Sequence, residues 1–421
     1  MHTFSTMVQT FLGAGASVIL PFIIFIIGII FRVKFRKAII SGITVGIGFI
    51  GINLALSILT TFVGPAAKAM SEHLGLHLTI VDVGWPGIAS ATWAQPIAAV
   101  MIPVIIIINL VMLALKWTKT LNIDMWNYWH GSAAAAVGYF ITGNFFFGII
   151  CGSIYMIFVQ KMADFVAPKV EEFYGLEGIT FTTGSAQGYA LLALPIGWVL
   201  DKIGLNKIDI KPETIQKRFG VFGEPMVMGV VIGALLGVLG GDGIIQILQI
   251  AMELGAVMLL MPRMVKILME GLMPIQEGAA EFLQKRNGNR KIYLGMDAAL
   301  ATGSPAALST GLLLVPITLL LAAILPGNHT LPLGDLATIP FFAALVVPYR
   351  KGNIFTSVIS LAIVLVFSLY MATNFAPALT QMSHGVITFP KGASQITNFD
   401  TGGNILNWLL YQFSELVKHI I

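Results

Sequence analysis

The sequence predicts an all-α polytopic membrane protein made of two inverted repeats, each with about five transmembrane helices and one re-entrant hairpin. Three observations carry that expectation. First, of 421 residues 57% are apolar and only 10% charged, with a mean hydropathy of +0.87, whereas a soluble domain holds about 25% charged residues. Second, the chain matches itself at a slowly shrinking offset. Asp82 aligns with Asp297, Pro103 with Pro316, Asp124 with Asp335, and Gly143-Asn144 with Gly352-Asn353, at offsets of 215, 213, 211 and 209 residues. Third, basic residues are strongly partitioned. With the N-terminus outside, 21 of the 24 Lys and Arg fall on the cytoplasmic side, all but Lys68, Lys391 and Lys418, as the positive-inside rule requires.

Apolar runs of about 20 residues, the length that crosses a bilayer, place the elements in order. The first repeat (1–161) has spans over 8–31, 38–63, 97–115, 126–143 and 145–161. The second (223–372) has spans over 224–240, 243–262, 308–325, 335–349 and 353–372. Between them lies a cytoplasmic or re-entrant linker, 162–222, and after them a C-terminal extracytoplasmic segment, 373–421, with room for a partial last helix. An odd number of spans per repeat inverts one against the other. The hairpins are 81–96 and 294–307, entering from outside and inside respectively. The amphipathic stretches 64–78 and 263–289 are expected to lie along the membrane surface. The apolar stretch 178–200 has basic residues on both flanks, so it enters and returns or lies at the interface. Residues 1–14 lack the basic region that opens a cleavable signal peptide.

Chemistry is expected where the hairpins meet, since broken segments of inverted-repeat transporters carry the substrate site near the midplane. An Asp entering an apolar stretch is costly and marks function. The first hairpin offers Asp82, Trp85, Ser90, Thr92 and Gln95, and the second offers Asp297, Thr302 and Ser304. Carboxylates, amides and hydroxyls suit a neutral polyhydroxylated ligand, because each sugar hydroxyl both donates and accepts. Asp82 and Asp297 also suit the capping of short half-helices. His130, in "WNYWHGSAAAA", is intramembrane and precedes small residues that allow close packing; it is a candidate catalytic base or a satisfied structural histidine. Glu177 is a second candidate base, and Thr182, Thr183, Ser185 and Gln187 in the polar linker are expected to line the same cavity. Glu224, in "FGEP", reads as stabilising a helix N-terminus. Asp124 and Asp335 read as caps near opposite membrane surfaces. Metal clusters, P-loops, GxGxxG folds and catalytic triads are absent from the sequence, so no metal, cofactor or ATP hydrolysis is expected, and the net charge of +4 reflects topology rather than nucleic acid. Cys151, the sole cysteine, lies within an apolar span, which excludes an internal disulfide and argues against a phosphocysteine on this chain.

The stretches "IGIGFIGINLAL", "VGPAAKAM", "VDVGWPG", "FGEP", "AVMLLMPR", "PGNHTLPLGDLATI" and "RKGNIF" resemble the galactitol-type enzyme IIC of the sugar phosphotransferase system, over roughly 40–410. That family belongs with ascorbate-type IIC transporters. The resemblance implies a homodimer with an elevator-type core moving against a scaffold, in the bacterial inner membrane. It also implies a sugar alcohol such as galactitol as substrate. Phosphorylation then comes from separate IIB and IIA subunits, with the phosphocysteine on IIB. Carried over by position, Asp82, Trp85, Asp297 and His130 are the family-like core candidates. The chain departs from the family where "PHGTSA" is expected: it reads "TTGSAQ" (182–187), with Thr183 in place of a histidine. It also ends one apolar span earlier than the family does. An ion-coupled secondary transporter of the same architecture, with Asp82 or Asp297 at a cation site, and a non-transporting receptor are the rival readings.

Overall fold

Long apolar runs fold into long helices here, and two of them run further than their sequence boundaries suggest. The computed structural model describes residues 16–73, 75, 78–214, 224–287, 291–390 and 393–420; the start of the first predicted span, 8–15, lies outside them. Helix α1 spans Ala16–Ile30 and α2 Phe35–His73. The expected surface stretch 64–78 is, as far as residue 73, simply the end of α2, because Ala, Lys, Met and Glu favour the helix and carry it past Pro65. Much later, α9 (Ile244–Asn287) runs unbroken through both the 243–262 span and most of the 263–289 stretch. Helices α2 and α9 pack with their backbones close together. A methyl group at Gly48 would sit 2.6 Å from the Leu268 Cβ, and one at Gly271 would sit 2.8 Å from the Val45 nitrogen. Small residues thus set this contact, as in membrane helix pairs generally.

Two three-stranded parallel sheets organise the interior. Strand β1 (Ile80–Asp82) ends in the first hairpin, whose descending arm is α3 (Gly84–Trp93), followed by α4 (Pro96–Ala114). Strand β2 (Thr120–Asn122) precedes α5 (Met125–Thr142) and α6 (Phe145–Tyr174). Strand β3 (Ile179–Phe181) leads into α7 (Gly184–Lys202), and α8 spans Pro225–Gly240. Strand β4 (Tyr293–Met296) opens the second hairpin, a 3-10 turn at Ala298–Gly303 continues it, and α10 (Pro305–Ile324) follows. Strand β5 is Thr330–Leu331 and β6 is Gln395–Thr397. The sheet orders are β5-β1-β6 and β2-β4-β3. Each hairpin strand is therefore flanked by two strands from the other half of the chain: Val81 pairs with Leu331 and Ile396, and Leu294 with Leu121 and Ile179. This pairing satisfies backbone groups that lipid could not.

Several expectations change at this level. The 335–349 span is not one helix but a 3-10 turn at Leu336–Thr338, then α11 (Ile339–Phe342) and α12 (Val346–Tyr349). Pro340 and Pro348 each remove a backbone donor there, and Pro340 lies against Gly311, where a Cβ would come within 2.3 Å of its Cα. The boundaries at 161 and 372 fall inside continuous helices, α6 and α13 (Ile354–Ser383). The stretch 178–200 folds as strand β3 followed by the 19-residue helix α7. The C-terminal segment likewise contains β6 and then α14 (Ile405–Val417). Helices α6 and α13 are both 30 residues long. Each starts on an asparagine whose side chain accepts from an N–H three residues on, Asn144 from Phe147 and Asn353 from Thr356. Among the described residues, α4, α6, α10 and α13 are long and apolar enough to cross a membrane.

Candidate functional site

The site grows from the turn that follows β1. Asp82 accepts from the Gly84 N–H at 2.8 Å with one oxygen and from the Asp335 N–H at 2.9 Å with the other. The two backbones touch here. Gly84 has φ +72°, and a Cβ at Gly334 would lie 2.1 Å from the Gly84 nitrogen, so both positions admit glycine alone. Asp335 in turn accepts from Trp85 N–H at 2.7 Å, and from the Phe399 and Asp400 N–H groups at 2.9 and 3.0 Å. It thus ties the first hairpin to the loop after β6. Asp400, whose backbone is held in this way, sets its carboxylate 2.8 Å from Nε2 of His130. Both side chains are sealed from solvent, at 0% and 5% exposure. The Trp129 ring stands 4.5 Å from the imidazole, and Trp85 meets Trp129 edge-on at 6.5 Å.

The second hairpin builds a related arrangement with different donors. Asp297 caps the 3-10 turn, accepting from the Ala299 N–H at 2.9 Å. Thr183 Oγ1 lies 2.8 Å from Asp124 and 3.4 Å from Asp297, and accepts from the Ala298 N–H at 2.7 Å. With one proton to give, the hydroxyl donates to the nearer carboxylate, Asp124. The other Asp124 oxygen accepts from the Asn127 N–H at 3.2 Å. Asp124 immediately precedes α5, which carries His130. Two polar clusters result: Asp82, Asp335, Asp400 and His130 at the first hairpin, and Asp124, Thr183 and Asp297 at the second.

Of the residues singled out from sequence, Asp82, Trp85 and His130 fall in the first of these clusters and Thr183 and Asp297 in the second. Ser185 and Thr92 are buried. Thr302 is buried and donates to the Ala299 carbonyl of its own turn. Gln187 is buried, and its amide donates to the Val159 and Phe181 carbonyls, tying α6 to β3. Thr182 donates to Asn122. Ser90 is exposed and donates to the Pro86 carbonyl one turn back. Gln95 and Ser304 occupy the N-cap positions of α4 and α10. Glu177 is exposed in the turn before β3. Glu224 occupies the N-cap position of α8, but its side chain does not cap that helix.

Three carboxylates belong here that the sequence reading put elsewhere. Asp124 does cap α5, accepting from the Asn127 N–H three residues on, whereas the Asp335 side chain does not cap the turn that follows it. They are buried at the two hairpins, and their matched positions in the self-alignment were the available signal. Asp400, in "NFDTGGN", was passed over because that stretch read as an extracytoplasmic tail.

Comparison with known proteins follows this geometry. The family model described as "PTS system sugar-specific permease component" (EIIC-GAT) matches residues 10–392. The chain is 38% identical over 410 residues to the "PTS system galactitol-specific EIIC component" of Escherichia coli strain K12, covering 97% of this chain and 91% of that protein. The protein of the same description from Escherichia coli O157:H7 gives the same figures. A "Putative permease IIC component" of strain K12 is 38% identical over 412 residues, covering 96% and 93%.

Proposed function

Since the chain belongs to the EIIC-GAT family of PTS sugar-specific permease components, we propose that it takes up a hexitol such as galactitol and presents one terminal hydroxyl to a separate IIB subunit. The observation that carries this reading is the pair of buried polar clusters at the two hairpins, one of which holds the buried His130–Asp400 pair. In the transfer step the hydroxyl oxygen attacks phosphorus on the IIB phosphocysteine, the phosphorus–sulfur bond breaks, and the thiolate leaves with the electron pair. His130 takes the hydroxyl proton through the ring nitrogen that does not face Asp400, and Asp400 stabilises the imidazolium. Positioning supplies much of the rate and the base supplies the rest. Trp85 and Trp129 offer apolar faces to the C–H side of the polyol. IIA recharges IIB, and neither subunit needs a cysteine from this chain.

Asp297 is the leading ligand contact on the second hairpin. One of its oxygens caps the turn, and the residue is only partly buried, whereas both oxygens of Asp82 are taken by backbone N–H groups. Asp297→Asn keeps the cap, since Asn caps nearly as well, but loses charge-assisted contact with ligand hydroxyls. A charged hydrogen bond contributes about 1.5–3 kcal/mol, so galactitol affinity should fall roughly 10- to 100-fold at an unchanged melting temperature. Binding within about twofold of the parent would remove Asp297 from the site.

The proposal extends to topology: two inverted repeats in the bacterial inner membrane, N-terminus outside, assembled as a homodimer whose hairpin-bearing core moves against a scaffold. The repeat unit then extends beyond the spans to the strand-plus-helix pairs β3–α7 and β6–α14. Single cysteines at Lys68 and Lys285, in a Cys151→Ala background, should label with an impermeant thiol reagent from outside and inside respectively. Labelling of both from one side would refute inversion.

A further inference from the structure

We infer that Asn127 reads the ligand, its carboxamide taking two neighbouring hydroxyls of a polyol, donating to one oxygen and accepting from the next hydroxyl. The inference rests on the site proposed above. Asn127 is completely buried, yet neither its carboxamide oxygen nor its nitrogen has a hydrogen-bond partner among the described residues. Burying an amide with both ends unpaired is strongly unfavourable, and buried polar groups are almost always paired. Two other buried asparagines, Asn109 and Asn328, follow that rule. Asn109 donates to the Thr120 carbonyl and accepts from the Asn122 N–H, and Asn328 donates to the Ala322 and Thr330 carbonyls while accepting from the Thr330 N–H.

Two other buried carboxamides, Gln160 and Asn407, are unpaired at both ends. Position singles out Asn127. It lies on α5 three residues before His130, which puts both on one helix face, and its own N–H is bonded to Asp124. The chemistry of the site also asks for it. The carboxylates of Asp82, Asp335, Asp400, Asp124 and Asp297 can only accept when ionised, whereas each polyol oxygen also has lone pairs that need a donor. The amide supplies that donor beside an acceptor, at the spacing of a vicinal diol.

Asn127→Leu, nearly the same size and apolar, separates reading from mere packing by sign. Removing a buried unpaired amide should hold or raise the melting temperature, while galactitol binding to the purified protein, followed by calorimetry, should weaken by about tenfold or more. Among singly deoxygenated galactitols, one that binds the parent about tenfold more weakly should bind Asn127→Leu and parent alike, because the hydroxyl the amide reads is already gone. If Asn127→Leu does not melt cooperatively, Asn127→Ser takes its place under the same binding criterion. Asp297→Asn and His130→Ala are measured alongside. If they weaken binding while the Asn127 variant stays within twofold, Asn127 holds only a water, and the inference falls with the site intact. If all three bind like the parent, the site itself is misplaced and the inference falls with it.

Discussion

Asp400→Asn should leave a folded protein that still binds galactitol but passes the phosphoryl group to it about 10²- to 10⁴-fold more slowly, the range that a positioned general base contributes. The substitution keeps the size of the side chain. It also leaves the Asp400 backbone N–H on Asp335, so the loop after β6 should hold its place. What is lost is the negative charge 2.8 Å from His130 Nε2. That charge does two things for a base. It keeps the ring in the tautomer whose far nitrogen can accept a proton, and it stabilises the imidazolium formed as the hydroxyl attacks. In a site sealed from water an amide dipole replaces neither. The measurement is sugar-phosphate formation in membranes supplied with phosphorylated IIB, set against equilibrium binding of galactitol. A matching fall in affinity would make Asp400 a binding group instead. An unchanged transfer rate would release His130 from catalysis.

The way these residues were found divides along a physical line. The breaks in helix at 81–96 and 294–307 were legible because an Asp and a run of Gly, Ser, Thr and Pro interrupt apolar sequence, and bilayers penalise such interruptions unless protein encloses them. Spans such as 97–115 and 126–143 were legible from length alone and match α4 and α5 to within a residue. The strands were not. At two to four residues each they are too short to show alternation, and every partner comes from the distant half of the chain, which local pattern cannot report. That gap explains why the burial of Asp124, Asp335 and Asp400 beside the hairpins was not legible. Each follows a strand by no more than a few residues, and only the pairing β5-β1-β6 or β2-β4-β3 brings it to a hairpin. Helix length failed for a related reason. Hydropathy marks where apolar sequence stops, but α2 and α9 continue on helix propensity and packing after that point.

Asp335→Ala should be the most damaging single truncation for stability, costing about 3 kcal/mol or more, because three backbone N–H groups lose their acceptor together at about 1–3 kcal/mol each when left buried and unpaired. Those donors, from Trp85, Phe399 and Asp400, belong to two segments more than 300 residues apart in sequence and cannot turn to find another partner. Asp335→Asn should recover only part of the loss. Its oxygen can serve one side of the junction, but its amino group then faces the N–H donors of the other. The aligned residue Asp124 supplies the control. It accepts one backbone N–H, from Asn127, and one threonine hydroxyl, from Thr183 at 2.8 Å, with the Thr182 hydroxyl 3.4 Å away. A hydroxyl can rotate toward another acceptor, and Thr182 already has one in Asn122. Asp124→Ala should therefore melt well above Asp335→Ala when the purified proteins are heated in the same detergent. Equal melting temperatures would mean that the first hairpin does not depend on Asp335 for its anchor. The position of Asp400, and with it the orientation of His130, would then have to be held by the packing of Phe399 and Trp85 alone.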